Sequence, residues 1–304
     1  MPLHYELSDL RLLLILMRTR SLSASGEAAH LTTSAVSLRL RKLEDGIGAQ
    51  LFTRTGKGLV PTEAGTALAE AAVPILAEAA ALDARLNPFS KHDPEPLRIF
   101  SNSTGLQNFL CRIAADYLRE NSSFRAVLTE QRSSLTPEAV LTGEADLGLI
   151  GGIRELSPAY RTKLELVQFV EDRHVVILPR DSSAAQQFKN RPILFAELLN
   201  LRFAALTDAS PMTAAMKERA LAAGFRFEPI IEAPSFSLLV ELVARGPLAA
   251  VVPASAVPPN APVEVRELED SWAARPLAFV LPKVRPALPS AIDFVEFALR
   301  TQKR

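Results

Sequence analysis

Thr33, Ser34, Ser37, Leu38 and Arg41 stand out in the stretch "HLTTSAVSLRLRKLE" (residues 30–44) as groups suited to contact with a polar polymer. At about 100° per residue, Val36, Leu40, Leu43 and Ile47 share a narrow arc that should pack on a core; Ser34, Ser37, Leu38 and Arg41 fall roughly opposite. A solvated helix face would prefer Glu, Lys and Gln. Hydroxyls can bond phosphates or base edges, a leucine can pack on thymine methyl groups, and a guanidinium can hold a phosphate. Arg54 and Lys57, in "LFTRTGKG", add cations that would position a duplex without reading its sequence. The plainer alternative is that these bases only solubilise the surface.

A second set of polar residues lies further along. "SNSTG" (101–105) follows a strand pattern and opens a helix, so Ser101, Ser103, Thr104 and the nearby amides could converge on a small ligand, or serve only as helix caps. "TDASP" (207–211) repeats that position after another strand, with Thr207 and Asp208 as candidates. Asp208 is either a cleft-facing charge or a cap, a role for which Ser210 before Pro211 competes. Gly151 and Gly152 would allow close backbone approach, and a tight turn explains them equally well. Catalysis has little support: His4, His30, His92 and His174 lack metal-ligand spacing, Cys111 sits in an amphipathic helix as a core residue, and no specific phosphate loop occurs. No enzyme activity, metal or cofactor is expected.

The elements that must position these groups follow from local signals. Ser8 should cap a first helix "DLRLLLILMRT" and Ser23 a second, "SASGEAAH"; Thr32 or Thr33 should cap the third, after which Gly46 and Gly48 interrupt the chain. Leu51-Phe52 and Leu59-Val60 flank a Gly-rich tip like a two-stranded ribbon. Three helices and a ribbon predict a mainly α winged helix-turn-helix over residues 1–61, whose third helix would lie in the major groove. Residues 62–90 form an Ala-rich linker helix with little bulk, which needs a partner and should bend or split at Pro74; "NPFSKHDPEP" (87–96) reads as a linker. From 91 to 304, strands and helices alternate in two rounds. This predicts a two-lobed α/β domain like the periplasmic binding proteins, with lobe I at about 91–163 and 267–304, lobe II at about 164–266, and a cleft between them.

Composition narrows the setting. The 304-residue chain has 34 basic and 34 acidic residues, so any basic patch must be local. Residues 1–60 hold eight Lys/Arg against five acids, and five of the eight lie between 39 and 57. One cysteine excludes a disulfide within the chain and favours a reducing compartment. "LLLILM" (12–17) is preceded by acids and followed by Arg18, unlike a signal peptide, and no segment is expected to approach a membrane span. A soluble cytoplasmic protein with no membrane contact is expected.

In order along the chain, "SLS" (21–23), "AVS" (35–37), Leu40, "KLE" (42–44), Gly48, "LFTR" (51–54), "GKG" (56–58) and "PTEAG" (61–65) resemble the LysR-type transcriptional regulators, with a weaker match at "GEADLGLIGG" (143–152). The likeness covers essentially the whole chain. It departs from the family where Thr32-Thr33-Ser34 replaces Ser-Gln-Pro, where Leu38 replaces a basic or polar residue, and where Ser25-Gly26 replaces Ala-Ala. The resemblance implies a regulator that binds double-stranded DNA at an inverted repeat, as a homodimer or homotetramer paired through the linker helices. It also implies a small-molecule effector held between the two loops at 101–104 and 207–208. The alternative is a two-lobed small-molecule binding protein without a DNA role.

Overall fold

A computed structural model of the chain describes residues 5–56, 58–86, 89, 95–153, 156–189, 191–208 and 210–302. The N-terminal unit is α1 (Leu7–Thr19), α2 (Leu22–Ala29), α3 (Thr33–Ile47) and an antiparallel ribbon of β1 (Phe52–Thr55) and β2 (Gly58–Pro61). Leucines 10, 13 and 16 of α1 close on Val36, Leu40 and Leu43 of α3, with Leu51 beneath the ribbon. Ile47 departs from the expected arc and is 36% exposed, because α3 ends there and Gly48 turns the chain into the left-handed region. The caps also differ in detail. Glu6, whose amide donates to Asp9 at 3.0 Å, precedes α1 in place of Ser8, and Ser21 caps α2 in place of Ser23. Thr32 caps α3, its Oγ1 accepting the Ala35 amide at 3.2 Å.

Helix α4 (Glu63–Leu86) runs unbroken through Pro74, so the expected split does not occur. Its Ala69, Ala72 and Leu76 bury against the winged core, and Ala77 and Ala80 are also buried. Small side chains allow close approach: Ala80 Cβ stands 2.5 Å from where a Cβ on Gly143 would be. Ile75, Leu82 and Leu86 remain exposed on α4. Glu63–Asp83 is long and apolar enough by length and composition to cross a membrane, contrary to expectation, because alanine counts as apolar; here that composition serves close helix packing. The linker expected at 87–96 lies outside the described residues except for 89, 95 and 96.

The remaining chain builds two sheets joined by two crossings. In chain order come β3 (Leu97–Ser101), α5 (Ser103–Gly105), a π-helical turn (Leu106–Leu110), α6 (Cys111–Glu120), β4 (Ala126–Glu130), α7 (Thr136–Leu141), β5 (Leu147–Gly151), α8 (Pro158–Lys163) and β6 (Leu164–Glu171). Then follow β7 (His174–Pro179), α9 (Ser183–Gln187), α10 (Phe195–Leu198), β8 (Ala204–Leu206), α11 (Pro211–Ala222), β9 (Ile231–Ala233), α12 (Phe236–Arg245), β10 (Ala250–Pro253), β11 (Val263–Glu267), β12 (Pro276–Pro282) and α13 (Pro289–Gln302). The first sheet has the order β4-β3-β5-β12-β6; the second lobe holds β10-β7-β11 and the parallel pair β8-β9. Strand β6 pairs antiparallel with β12, so residues 164–171 belong to the first sheet and not to the second lobe. The outward crossing therefore falls at 172–173, and the return lies between β11 and β12. Cys111 is exposed: α6 buries Ile113 and Tyr117, and position 111 lies well off that stripe.

Gly65 sets the join between ribbon and α4, since a Cβ there would overlap the Leu51 carbonyl oxygen. Gly65→Ala should lower stability by roughly 1–3 kcal/mol, the usual penalty of overpacking. Urea unfolding of the two proteins checks this.

Candidate functional site

The exposed face of α3 is held at a set angle to the ribbon by backbone and carboxylate contacts. Glu44 Oε1 accepts the amides of Leu51 and Phe52 at 2.8 and 3.2 Å, and the Leu59 amide donates to the Arg20 carbonyl at 2.8 Å. On that frame Thr33, Ser34, Leu38 and Arg41 are exposed, Leu38 by 54%, and Ser37 is half-buried. Arg54 is not free of the helix: its Nη2 donates to Ser37 Oγ at 3.0 Å, tying the ribbon to the middle of α3. Ser34 Oγ lies 3.0 Å from Thr32 Oγ1. Lys57, His4 and His92 lie outside the described residues.

Between the lobes is a cavity of about 200 Å³. Ser103, Thr104 and Asn108 line it from the first lobe, and Leu206, Ser235 and Ser237 from the second; Glu130 stands at its wall. Other expected residues are used differently. Ser101 is fully buried and its Oγ donates to the Leu149 carbonyl at 2.7 Å, bridging β3 to β5 below the cavity. Thr207 donates its amide to the Ala233 carbonyl, continuing the β8-β9 pairing. Asp208 neither caps α11 nor faces the cavity. It pairs with Lys217 at 2.6 Å on an exposed surface, while Ser210 accepts the Met212 amide as the cap. Gly152 supplies a left-handed turn at φ 73°, and Gly151 makes room for the Arg275 side chain, whose Nε is 2.6 Å from where a Cβ would sit.

The second-lobe wall is instead the start of α12, where Ser235 Oγ accepts the Leu238 amide at 3.4 Å. "APSFS" (233–237) has the same signature as "SNSTG": hydroxyls around a helix start after a strand. That signal was available. Its rank against "TDASP" depended on which loop meets the first lobe.

Behind the cavity, side chains connect the lobes through the crossing segments. Asn108 Nδ2 donates to Ser255 Oγ at 2.9 Å, and the Ser255 amide and hydroxyl donate to Asp172 at 3.1 and 2.8 Å. Burial pushes the Asp172 carboxyl up, opposed by those Ser255 bonds and by the Arg275 charge. The Asp172 amide donates to the Arg275 carbonyl at 2.9 Å, pairing the two crossings. His174, whose ring lies 5.9 Å from that of Trp272, is driven down to about 4 by burial and then by the charges of Arg275 and Arg219. Among the described residues no group of three or more His, Cys, Asp or Glu could hold a metal ion.

The described chain thus joins a winged helix-turn-helix, through one long helix, to a two-lobed α/β domain with an interlobe cavity. Residues 7–66 match the bacterial regulatory helix-turn-helix protein, lysR family, and residues 90–303 match the LysR substrate binding domain. The chain belongs to the LysR family. The RuBisCO operon transcriptional regulator of Allochromatium vinosum is 28% identical over 71% of this chain and 68% of its own length. The HTH-type transcriptional activator IlvY of Salmonella typhimurium is 31% identical over 48% of this chain, which spans half the length of that relative. The match to the uncharacterized regulator YeiE of Escherichia coli, 28% identical, covers 60% of each chain. A full-length OxyR variant from Pseudomonas aeruginosa aligns with a TM-score of 0.63 at 20% identity, covering 98% of this chain and 95% of that one. CbnR in complex with its target DNA aligns with a TM-score of 0.53 at 18% identity, covering 98% and 100%. At these identities the likeness establishes the fold.

His174 gives the site a pH signature. The unfolded imidazole takes a proton near 6.5 and the folded one only near 4, so between those values the unfolded chain binds more protons and stability falls as pH falls. The loss should approach roughly 3 kcal/mol by pH 4, from about 1.4 kcal/mol per pH unit. His174→Gln should flatten that part of the curve in urea unfolding measured from pH 7 to 4.

Proposed function

We propose that the protein is a sequence-specific DNA-binding transcriptional regulator whose DNA contacts are governed by a small molecule bound between its lobes. The observation that carries this reading is the outer face of α3, where Thr33, Ser34, Leu38 and Arg41 are exposed beside the ribbon while Val36, Leu40 and Leu43 are buried. An exposed leucine between hydroxyls and a guanidinium suits a major groove and gains nothing in water. Ser37 and Arg54 act together, the bonded pair holding the wing against the recognition helix. Arg41, Arg54 and Lys57 contact phosphates; Ser34 and Leu38 face base edges.

The effector occupies the cavity at Ser103, Thr104, Ser235 and Ser237, whose hydroxyls suit a polar compound. A route to the DNA-binding unit is available through Arg18 of α1, which is 13% exposed and pairs with Glu144 of the first lobe at 3.1 Å. Glu144 lies in a loop that Asp146 anchors, accepting the Arg98 amide at 2.9 Å and its Nη2 at 2.6 Å. A shift of the β5 end on ligand closure would therefore reach α1 through a short, well-held path. The protein acts in the cytoplasm, without catalysis, on an inverted-repeat operator. Pairing of two chains through α4, with further assembly to tetramers, supplies the second winged unit.

Arg41→Ala should weaken binding to every duplex in a mobility-shift assay and lower the salt slope by about one. Leu38→Ala should change the preferred bases by roughly 1–3 kcal/mol at its position. Unaltered affinity and preference in both would refute the α3 assignment.

The exposed Ile75, Leu82 and Leu86 of α4 predict pairing along that stripe. Leu82→Asp should shift the full-length protein from dimer or tetramer toward monomer in light scattering, with loss of operator binding. A parent protein already monomeric at micromolar concentration would contradict the pairing.

A further inference from the structure

The hydroxyls of the interlobe cavity conceal a bias in its charge. Glu130 is the one ionisable group among its described lining residues, and the Glu130 carboxylate makes no hydrogen bond or ion pair among the described residues. The backbone sets its place. Glu130 ends β4 in parallel register with Ser101, and the Gln131 amide donates to the Ser101 carbonyl at 2.8 Å, so this residue stands beside the helix start that carries Ser103 and Thr104.

Asn108 adds a second acceptor, and the hydrogen bonds behind the cavity decide its sense. The Asp172 carboxylate takes the Ser255 hydroxyl proton at 2.8 Å, which leaves Ser255 Oγ able only to accept. Asn108 therefore turns Nδ2 to it, at 2.9 Å, and its Oδ1 is left without a partner among the described residues, on a side chain that lines the cavity. The helix starts on the two sides carry their own caps: Asn102 Oδ1 accepts the Gly105 amide at 2.9 Å, and Ser235 Oγ the Leu238 amide. An anion entering here would meet Glu130 with no cation among the described lining residues, and like charges repel. The opposite wall is apolar, since Leu206, Pro234 and Phe236 come from the second lobe. The cavity, of about 200 Å³, is smaller than the roughly 300–1,000 Å³ of sites for drug-sized molecules, so its occupant is small.

Resting on the reading that the effector occupies this cavity, we propose that the effector is a small organic amine whose ammonium group is held by Glu130 and Asn108 Oδ1 while its hydrocarbon body lies against Leu206 and Phe236. An ammonium brings a positive charge and three donors, the complement of a carboxylate and an amide oxygen that can only accept. Such a ligand touches the first lobe with its polar end and the second with its apolar end, and so draws the two together.

The test varies the head group on one body. Full-length protein is titrated by calorimetry with phenethylamine, phenethyl alcohol and hydrocinnamate, which carry an ammonium, a hydroxyl and a carboxylate. The amine should bind about tenfold or more tighter than either analogue, the usual scale of a hydrogen bond to a charged group. Glu130 is exposed and unpartnered, so Glu130→Gln should fold as the parent does; it should weaken the amine about tenfold and leave the alcohol within about twofold. Ser237→Phe, which fills the cavity from the second lobe, should abolish binding of the amine. An amine that gives no saturable heat, that binds no tighter than its analogues, or that binds Glu130→Gln as it binds the parent overturns the proposal. Alcohol or carboxylate binding that Ser237→Phe removes would overturn the amine while keeping the cavity as the effector site. Binding of the amine that Ser237→Phe leaves intact would overturn both.

Discussion

The hydrogen bond from the Asp172 amide to the Arg275 carbonyl joins the two segments of described chain that pass between the lobes, on either side of which the cavity walls stand. Both lobes are built from non-local pairings: β12 returns to lie between β5 and β6, and β7 lies between β10 and β11. Neither sheet extends across the gap. The lobes therefore touch through side chains, of which Asn108, Ser255 and Asp172 form the continuous path. A narrow covalent connection with a few polar contacts beside it is the arrangement expected of a cleft whose width a ligand can alter, because closure need not break either core.

The N-terminal unit is secured by a different economy of means. Its four-residue strands are too short to be stable alone. They are held because Glu44 captures two amides at the ribbon's start, Arg20 accepts one from its second strand, and Gly65 lets α4 approach the Leu51 carbonyl. Alanines then allow α4 to lie close to both α1 and the first lobe. Arg98 and Asp146 complete the junction: the almost fully buried carboxylate takes a backbone amide and a forked guanidinium, which fixes the loop carrying Glu144 toward Arg18. Helix α3 and the cavity are thus parts of one packed chain.

The family matches at residues 7–66 and 90–303 agree with the ordered motifs read from the residues, and the contacts above give several of those motifs a cause. "KLE" ends in the carboxylate that anchors the ribbon; "PTEAG" ends in the glycine that admits the Leu51 carbonyl. Residue types at set spacing were enough because the interactions join segments close in sequence. The same holds for α3, whose buried and exposed faces follow from helical periodicity over its first three turns. Periodicity fails at Ile47 because the helix stops before that face meets the core.

The cavity was legible only in part, for a physical reason. A hydroxyl after a strand can cap a helix, cross-link two strands or face a ligand, and these uses share one local signature. Ser103 and Thr104 reach the cavity, whereas Ser101 turns inward to β5; Asp208 is drawn away by Lys217, and Ser235 stands where Thr207 was expected. Likewise β6 has no sequence mark that sends it to the first sheet, since its partner β12 lies far later in the chain. Capping, amphipathic spacing and close-packed glycines near the N-terminus were determined by contiguous sequence. Which loops face each other across the cleft was decided by tertiary structure, because strand order and the two crossings bring together residues between which no local interaction exists.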